Sequence, residues 1–345
     1  MSRKPLRVAV VGAGQMGQLH VRVVVESEET ELLAVVDRDS EVEHLPFLGT
    51  ARRLDSVDEL LAGRPPDLAI VSTPTSQHAA LSVSLLEAGV PVLVEKPIAD
   101  NIADAARVIE TSTRAGIPFA VGHVERFNPA VRELQARLRE QALGRVFQIH
   151  ARRLSPFPTR LEDSGVALDL ATHDLDLMCE LAGRPLRVSA EIDRRAHGSR
   201  EDLLAATLRF DSGIIGLLEV NWLTPTKVRQ LTVTGERGMF VVDYLNQHLT
   251  LYENAQASET WHTLDIFDSV TEGNVTRFAI DRAEPLRAQL EAFVLAVRGD
   301  AAVAVTGEQG LRVLELALAA VEAGAAGRTL TLDERSQPTA PPPRR

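Results

Sequence analysis

One short glycine-rich loop constrains the fold of this chain more than any other feature. The loop Gly12-Ala13-Gly14-Gln15-Met16-Gly17 follows an apolar run at residues 6–11 and opens an amphipathic segment at 16–26. Three glycines with this spacing allow a tight turn, close approach of a pyrophosphate to the backbone, and close packing of the next helix on the strand. The loop therefore predicts a dinucleotide site, and a glycine-rich turn without a ligand is the weaker alternative.

Apolar runs that alternate with helical patterns continue the same architecture. The runs at 32–36, 68–72, 92–95 and 118–121 are apolar at nearly every position, as in parallel strands that are covered on both faces. Amphipathic segments lie between these runs, at 56–62, 76–88 and 101–115. Strand and helix alternating at this spacing predict an α/β N-terminal Rossmann domain, with a doubly wound parallel sheet, over residues 1–124.

The pattern changes after about residue 124. Asn128-Pro129 begins a predicted helix, and further helices are predicted at 166–182, 285–298 and 307–323. Longer strands are predicted at 146–152, 186–193, 203–210, 214–222, 228–234, 239–244 and 248–252. The short turns 211–213 and 236–238 make their flanking strands antiparallel neighbours. We predict a C-terminal α+β domain with a large, mostly antiparallel open sheet over residues 125–333, and a disordered proline-rich tail over 334–345.

The bulk composition excludes several classes of protein. The chain has 345 residues and a formal net charge of −11, and this acidic balance argues against a nucleic-acid partner. One cysteine, Cys179, leaves no disulfide within the chain, so a cytoplasmic location is expected. No apolar stretch is long enough to cross a bilayer, and the N-terminus lacks the pattern of a signal peptide.

The residues after the second and fourth strands indicate which dinucleotide is bound. Asp37 ends the second strand, where a carboxylate accepts hydrogen bonds from the ribose hydroxyls of NAD and repels a 2′-phosphate. Arg38 could hold such a phosphate, but Asp37 at the strand end favours NAD over NADP. Thr73-Pro74-Thr75 and His78 follow the fourth strand, at the sheet edge where ligands bind. A capping turn with Thr75 as N-cap is compatible with that role.

Two groups of residues are candidates for proton transfer. Glu95-Lys96-Pro97 ends the fifth strand, where a partly buried lysine beside a carboxylate can act as a base, although a surface ion pair is an equal alternative. Asp169 and His173 are four residues apart and, with Asp176, share one face of a predicted helix. The carboxylate can orient the imidazole for acid–base work, and a satisfied polar stripe is the alternative. A metal site is not expected, since no CxxC or second helical histidine accompanies them.

Together these residues resemble the Gfo/Idh/MocA family of sugar and polyol oxidoreductases over nearly the whole chain. The resemblance includes the glycine loop, Glu95-Lys96-Pro97, the segment 122–129 and the helix with Asp169-x-x-x-His173. It implies that Lys96, Asp169 and His173 are catalytic. It also implies that NAD is bound by the set Gly12, Ala13, Gly14, Gln15, Met16, Asp37, Arg38, Thr73, Pro74, Thr75, His78, Glu95 and Lys96. Ala171 departs from the glycine that is frequent in the family. The resemblance also implies a homo-oligomer, expected to be a dimer or tetramer.

The segment 121–131, the pair of segments 156–158 and 165–174, and the pair 221–225 and 227–229 resemble a subgroup of this family that oxidises the 3-hydroxyl of UDP-N-acetylglucosamine for 3-amino-sugar biosynthesis. This implies a nucleotide-sugar substrate. Its expected contacts are Lys96, Arg126, Asn128, Arg152, Arg153, Phe157, Asp169 and His173. Arginine forks match phosphate oxygens, so the candidates for the diphosphate are Arg152, Arg153, Arg160, Lys227 and Arg229. Most of these five are expected to be solvated surface charges.

Other functions stay open at this point. The substrate could be a different nucleotide sugar or a free cyclitol, because substrates change easily on one fold. Relatives of this fold also include redox-neutral glycosidases that use NAD transiently, and sensors that bind NAD without turnover. The joint presence of Lys96, Asp169 and His173 argues against a sensor. Whether Lys96 or His173 is the base is undecided, because their titrations would be coupled.

Overall fold

The computed structural model describes residues 3–39, 47–158, 164–196, 200–254 and 273–332. These described residues form two compact units, which lie within Met1–Val124 with Glu284–Glu315 and within Glu125–Ala283 with Leu316–Arg345. The first unit therefore includes residues 284–315, which the sequence analysis assigns to the C-terminal domain. The predicted tail at 334–345 and the candidate Arg160 lie outside the described residues.

The first unit contains a six-stranded parallel sheet with the order β3-β2-β1-β4-β5-β6. Its elements to residue 122 are β1 (Leu6–Val11), α1 (Gln15–Glu26), β2 (Thr30–Val36), β3 (Arg52–Leu54), α2 (Val57–Ala62), β4 (Leu68–Val71), α3 (Thr75–Glu87), β5 (Val92–Glu95), α4 (Ile102–Ala115) and β6 (Phe119–Gly122). β4 and β5 are buried at every residue, as expected for strands covered on both faces. The predicted parallel Rossmann sheet is confirmed, and the short edge strand β3 is an addition to it.

The second unit contains a nine-stranded sheet with the order β14-β13-β12-β11-β7-β10-β9-β8-β15. Its elements from residue 129 to 277 are α5 (Pro129–Arg139), β7 (Val146–Leu154), a π-helical turn (Ala167–Ala171), α6 (Thr172–Ala182), β8 (Pro185–Asp193), β9 (Leu203–Phe210), β10 (Ile215–Asn221), β11 (Val228–Gly235), β12 (Gly238–Asp243), β13 (His248–Glu253) and β14 (Val275–Arg277). All neighbours are antiparallel except β7 and β10. The predicted mostly antiparallel sheet is confirmed.

Alternation along the strands gives this sheet two different faces. In β9, Leu204, Ala206, Leu208 and Phe210 are buried, whereas Ala205 and Thr207 are exposed. Such a period of two is typical of a sheet with one face against a core. α5 packs on β12 and β13, and α6 packs on β7. The side chains that face α6 are therefore the buried ones.

Two helices and a short strand follow: α7 (Pro285–Val297), α8 (Gly307–Ala326) and β15 (Leu330–Thr331). α7 belongs to the first unit because Leu286, Leu290, Phe293 and Val294 join the same core cluster as Val8 and Val10 of β1. The apolar stripe of α7 predicts a buried face, but it does not identify the core that buries it. Within the described residues, no helix is long and apolar enough to span a membrane.

Candidate active site

Steric fit explains the three glycines of the loop after β1. Gly12 has a φ of +91°, a conformation that glycine adopts without the penalty of a Cβ. A Cβ on Gly17 would lie 1.9 Å from the carbonyl oxygen of Gly12, so α1 cannot pack on the turn with any other residue there. A Cβ on Gly14 would meet no protein atom within 4 Å. Packing therefore does not require glycine at position 14, but the approach of a ligand phosphate would.

The amino end of α1 is suited to bind an anion. Its N-cap is Gly14, no side chain of the described residues caps the helix, and its first turn contains no acidic residue. The first amide groups of a helix have no partner within the helix and carry a partial positive charge. The end of α1 thus fits the pyrophosphate of a dinucleotide.

Asp37 is held rigidly at the end of β2. Its Oδ2 atom accepts a hydrogen bond of 2.6 Å from the amide of Ala13, and its Oδ1 atom accepts one of 2.9 Å from the amide of Asp39. These bonds orient the carboxylate beside the glycine loop, where it can meet a ribose.

Most of the predicted cofactor residues line one pocket of about 750 Å³ in the first unit. The predicted residues in its lining are Gly12, Gly14, Met16, Asp37, Arg38, Thr73 and Pro74. Sequence reasoning missed the segment Asp55–Asp58 and the residues Gln77, Ala80, Leu81 and Ser84, which also line the pocket. The first set follows β3, a strand that was not predicted, and the second set lies on one side of α3.

His78, for which the resemblance implies a cofactor contact, is buried between two loops, and that contact stays a prediction. Its side chain is buried, and its two ring nitrogens each lie 2.8 Å from a carbonyl oxygen, those of Thr73 and Pro97. Burial lowers the pKa of His78. The ring therefore joins the loop after β4, whose Thr73 and Pro74 line the pocket, to the loop after β5. Contacts of Ala13, Gln15 and Thr75 with a cofactor stay predictions.

Glu95 is a buried carboxylate that binds a histidine of α1. Its Oε1 atom lies 2.7 Å from Nε2 of His20, and both side chains are buried. Burial acts to raise the pKa of Glu95, but the hydrogen bond and charge of His20 and the charge of Lys96 outweigh it, so the pKa is lowered. Sequence reasoning missed His20. His20 could have been found from its position three residues after Gly17, because this spacing places both residues on the same side of α1.

Lys96 follows Glu95 at the carboxyl edge of the parallel sheet, in a half-buried position. Oε2 of Glu95 accepts a hydrogen bond of 3.3 Å from the amide of Lys96, which ties the lysine backbone to the buried carboxylate. The Lys96–Pro97 peptide bond is cis. The surface ion pair considered as an alternative does not describe Glu95, because its carboxylate is buried and bound to His20.

Asp169 and His173 lie in the second unit, on a helix that does not begin as a regular α-helix. Asp169 is in the π-helical turn, its amide donates to the carbonyl of Gly165 at 3.1 Å, and His173 is in the first turn of α6. Both side chains are half-buried. Isolated π-helical turns within helices occur frequently at functional sites. The third member of the predicted stripe, Asp176, is fully buried and has another partner.

That partner is Arg126, for which the resemblance implied a substrate contact. Nε and Nη2 of Arg126 donate to Asp176 at 2.7 and 2.6 Å, and Nη1 donates to Glu180 at 2.9 Å. Only 9% of the Arg126 side chain is exposed. A guanidinium that already binds two carboxylates in this way orders the start of the second unit, so the structure indicates a supporting role.

Asn128 and Arg153 have supporting positions as well. The side chain of Asn128 caps α5 through a 3.1 Å bond from the amide of Ala130, which confirms the predicted cap. Arg153 is buried and donates to Asp174 at 2.6 Å and to Glu125 at 3.0 Å. Burial acts to lower the pKa of Arg153, but the charges of Asp174 and Glu125 outweigh it, and the pKa is raised.

Arg152 and Phe157 are the more accessible members of the predicted substrate set. Arg152 points to the opposite side of β7 from Arg153 and pairs with Glu219 at 2.8 Å. Phe157 is 37% exposed, and its ring packs edge-on against buried Trp222 with 5.7 Å between ring centroids. Phe157 therefore offers a partly exposed aromatic surface beyond the end of β7.

The fold and the pocket define a class of protein: an oxidoreductase that binds NAD through a Rossmann domain and has a second α+β domain. Residues 6–123 match the family model described as "Oxidoreductase family, NAD-binding Rossmann fold", and residues 135–332 match "Oxidoreductase family, C-terminal alpha/beta domain". The chain belongs to the Gfo/Idh/MocA family of oxidoreductases.

Individual relatives cover most of the chain. UDP-N-acetylglucosamine 3-dehydrogenase of Acidithiobacillus ferrooxidans is 29% identical over 91% of this chain and 95% of its own length. Its solved structure matches with a TM-score of 0.83 and 27% identity, over 94% of this chain and 99% of that chain. Myo-inositol dehydrogenase Hyg17 of Streptomyces leeuwenhoekii is 33% identical over 68% of this chain and 75% of its own length. The relatives therefore act on more than one type of substrate.

Proposed function

We propose that this chain oxidises the 3-hydroxyl of UDP-N-acetylglucosamine to the 3-keto sugar nucleotide, for the biosynthesis of a 3-amino sugar. The observation that carries the proposal is the similarity to the Acidithiobacillus ferrooxidans dehydrogenase, which extends over 91% of this chain. The half-buried Arg229 and the exposed ring of Phe157 lie in segments whose sequence resembles the subgroup that acts on this nucleotide sugar, and both suit a substrate with phosphates and a base.

The residues proposed for the chemistry are Lys96, Asp169 and His173. In the oxidation, the O–H and C–H bonds at carbon 3 break and the second bond of the carbonyl forms. NAD, when bound, supplies the oxidant that accepts the hydrogen of the C–H bond together with its electron pair. The remaining proton passes to a base, for which Nζ of Lys96 and the imidazole of His173 are the candidates. Asp169 orients His173.

Absorbance of reduced nicotinamide tests the proposal directly. Purified protein with UDP-N-acetylglucosamine should produce NADH, and NADP should support a much slower rate because Asp37 repels its 2′-phosphate. Lys96→Met should reduce turnover by at least about 100-fold while calorimetry shows NAD affinity close to that of the wild type. Normal turnover in that variant would exclude Lys96 from the chemistry.

A cyclitol dehydrogenase is the second candidate function, favoured by the 33% identity with the Streptomyces myo-inositol dehydrogenase. The same assay separates the two functions when myo-inositol replaces the nucleotide sugar. If NADH forms with myo-inositol and not with UDP-N-acetylglucosamine, the substrate is a cyclitol and the proposed function is wrong. If neither UDP-N-acetylglucosamine nor myo-inositol raises the absorbance of reduced nicotinamide, and a glycoside is hydrolysed, the protein is a redox-neutral glycosidase.

A further inference from the structure

We propose that Arg229 anchors the anionic part of the substrate, a nucleoside diphosphate, and thereby selects nucleotide sugars over uncharged cyclitols. The inference rests on the proposed function and refines it, because it names the residue that recognises the charged half of the substrate. Five basic residues were candidates for this role in the sequence, and the contacts of the described residues separate one of them from the others.

Arg229 and Arg153 are direct neighbours across two strands. They face each other in the antiparallel pairing of β11 with β7, so their side chains lie on the same side of the sheet. Two like charges at such positions repel each other. Arg153 is compensated, since its guanidinium donates to Asp174 and Glu125.

Arg229 is compensated only indirectly, because the charges of Asp174, Glu125 and Asp169 act on it without a hydrogen bond among the described residues. Within the described part of the chain its guanidinium donates only through Nη1, to the carbonyl of Leu154 at 2.9 Å and to that of Val228 at 3.1 Å. No carboxylate of the described residues forms an ion pair with it. Burial and the charge of Arg153 lower the pKa of Arg229 to about 10. A half-buried cation that is left unpaired is costly, and such groups concentrate at binding sites.

The position of Arg229 fits a contact with substrate. It stands next to the beginning of β11, beside the carboxyl end of β7 where Leu154 accepts its hydrogen bond. The charge of Asp169, one of the proposed catalytic residues, acts on Arg229 and favours its charged form. The two carbonyl bonds hold Nη1, so the rest of the planar fork is oriented and can bind phosphate oxygens in a bidentate manner.

The remaining basic candidates have other environments. Arg152 pairs with Glu219 on the opposite side of the sheet, Arg153 is buried among carboxylates, and Lys227 is exposed. Arg160 lies outside the described residues. Arg209→Gln is a matched control, since it removes from β9 of the same sheet a guanidinium that donates to a carbonyl oxygen, that of Gly213, without touching Arg229.

The test is calorimetric titration of the full-length protein with UDP and with uridine. Arg229→Gln should weaken UDP binding by about 10- to 100-fold and leave uridine binding unchanged. Arg229→Lys keeps the charge without the fork and should lose about 10-fold. Arg209→Gln should bind UDP like the wild type. Unchanged NAD affinity and an unchanged melting temperature show that each variant is folded. If Arg229→Gln does not fold, the UDP affinity of Arg229→Lys tests the inference.

The outcomes distinguish this inference from the proposed function. Equal UDP affinity in the wild type and both Arg229 variants overturns the inference, even if UDP-N-acetylglucosamine is oxidised. Arg229-dependent UDP binding without oxidation of UDP-N-acetylglucosamine supports the inference and rejects the proposed substrate. Arg229-dependent binding of glucuronate, with no binding of UDP, assigns the site to a carboxylate and overturns the phosphate assignment.

Discussion

Glu95 keeps a negative charge in a buried position because His20 donates to it. A buried carboxylate is costly unless it is paired and hydrogen-bonded, and the 2.7 Å contact from α1 provides that partner. Because the backbone of Lys96 is bound to the same carboxylate, the position of the proposed catalytic lysine depends on a residue of the first helix. His20 is thus a positioning residue that acts through Glu95.

We expect His20→Ala to lower the free energy of unfolding by about 1–3 kcal/mol at neutral pH, because Glu95 loses its partner. Since the pKa of Glu95 is lowered in the folded protein, its contribution to stability is present above its unfolded pKa and is lost as the pH falls through the folded pKa. The difference from the wild type should therefore shrink in acid. Urea titrations at several pH values measure this.

The kinetic part of the same prediction separates positioning from stability. In His20→Ala the acid limb of the kcat profile should move to higher pH, because the pKa of Glu95 rises. His20→Gln keeps an N–H donor near the same place and should restore most of the profile. Loss of stability with an unshifted pH profile would assign His20 a purely structural role.

Asp37 is expected to determine the choice between NAD and NADP. Asp37→Ser removes the charge that repels a 2′-phosphate and leaves exposed Arg38 in the same pocket. We expect NAD affinity to fall by about 10- to 100-fold and NADP affinity to rise relative to it. Asp39→Ser removes the same charge two residues away and should leave the preference intact. Titrations with both dinucleotides decide the matter, and an unchanged ratio in Asp37→Ser would contradict the assignment.

At the scale of elements, the glycine loop joins β1, α1 and the cofactor through steric fit. Gly17→Ala places a Cβ 1.9 Å from the carbonyl oxygen of Gly12, so it should cost about 1–3 kcal/mol of stability and weaken NAD binding. Gly14→Ala meets no protein atom and should keep wild-type stability while losing NAD affinity. Melting curves and NAD titrations on both variants test this, and normal NAD affinity in Gly14→Ala would exclude the proposed phosphate approach.

Element prediction succeeded where local pattern and packing agree. The buried strands β1, β4 and β5 are apolar at nearly every residue, and the hairpins β9–β10 and β11–β12 have short turns at 211–214 and 236–237. The π-helical turn at Ala167–Ala171 was not predicted, because its composition does not differ from that of an α-helix. The three-residue strand β3 was missed because it is too short to show a period.

At the scale of the whole molecule, α7 returns to the first unit after the chain has formed most of the second. Phe293 is 3% exposed in the core shared with β1, whereas Leu295 on the same helix is 44% exposed. Phe293→Ala should destabilise the first unit by about 3–5 kcal/mol, and Leu295→Ala should change stability by less than about 0.5 kcal/mol.

Hydrogen exchange locates the effect. In Phe293→Ala the amides of β1 and β4 should lose protection, while those of β9 and β10 keep theirs, because only the first core loses a side chain. Loss of protection in β9 and β10 alone would contradict the assignment of α7 to the first unit.

The sequence by itself determined the parallel sheet, the glycine loop, Asp37 at the end of its strand and the family, because these depend on residues close together in the chain and on local sterics. The tertiary structure alone decided which charges are compensated. Arg126 and Asp176 are 50 residues apart, and His20 and Glu95 are 75 apart. No local pattern shows that Arg153 meets two carboxylates while its neighbour Arg229, among the described residues, donates only to carbonyl oxygens. Charge compensation depends on side chains that only the folded chain brings into contact.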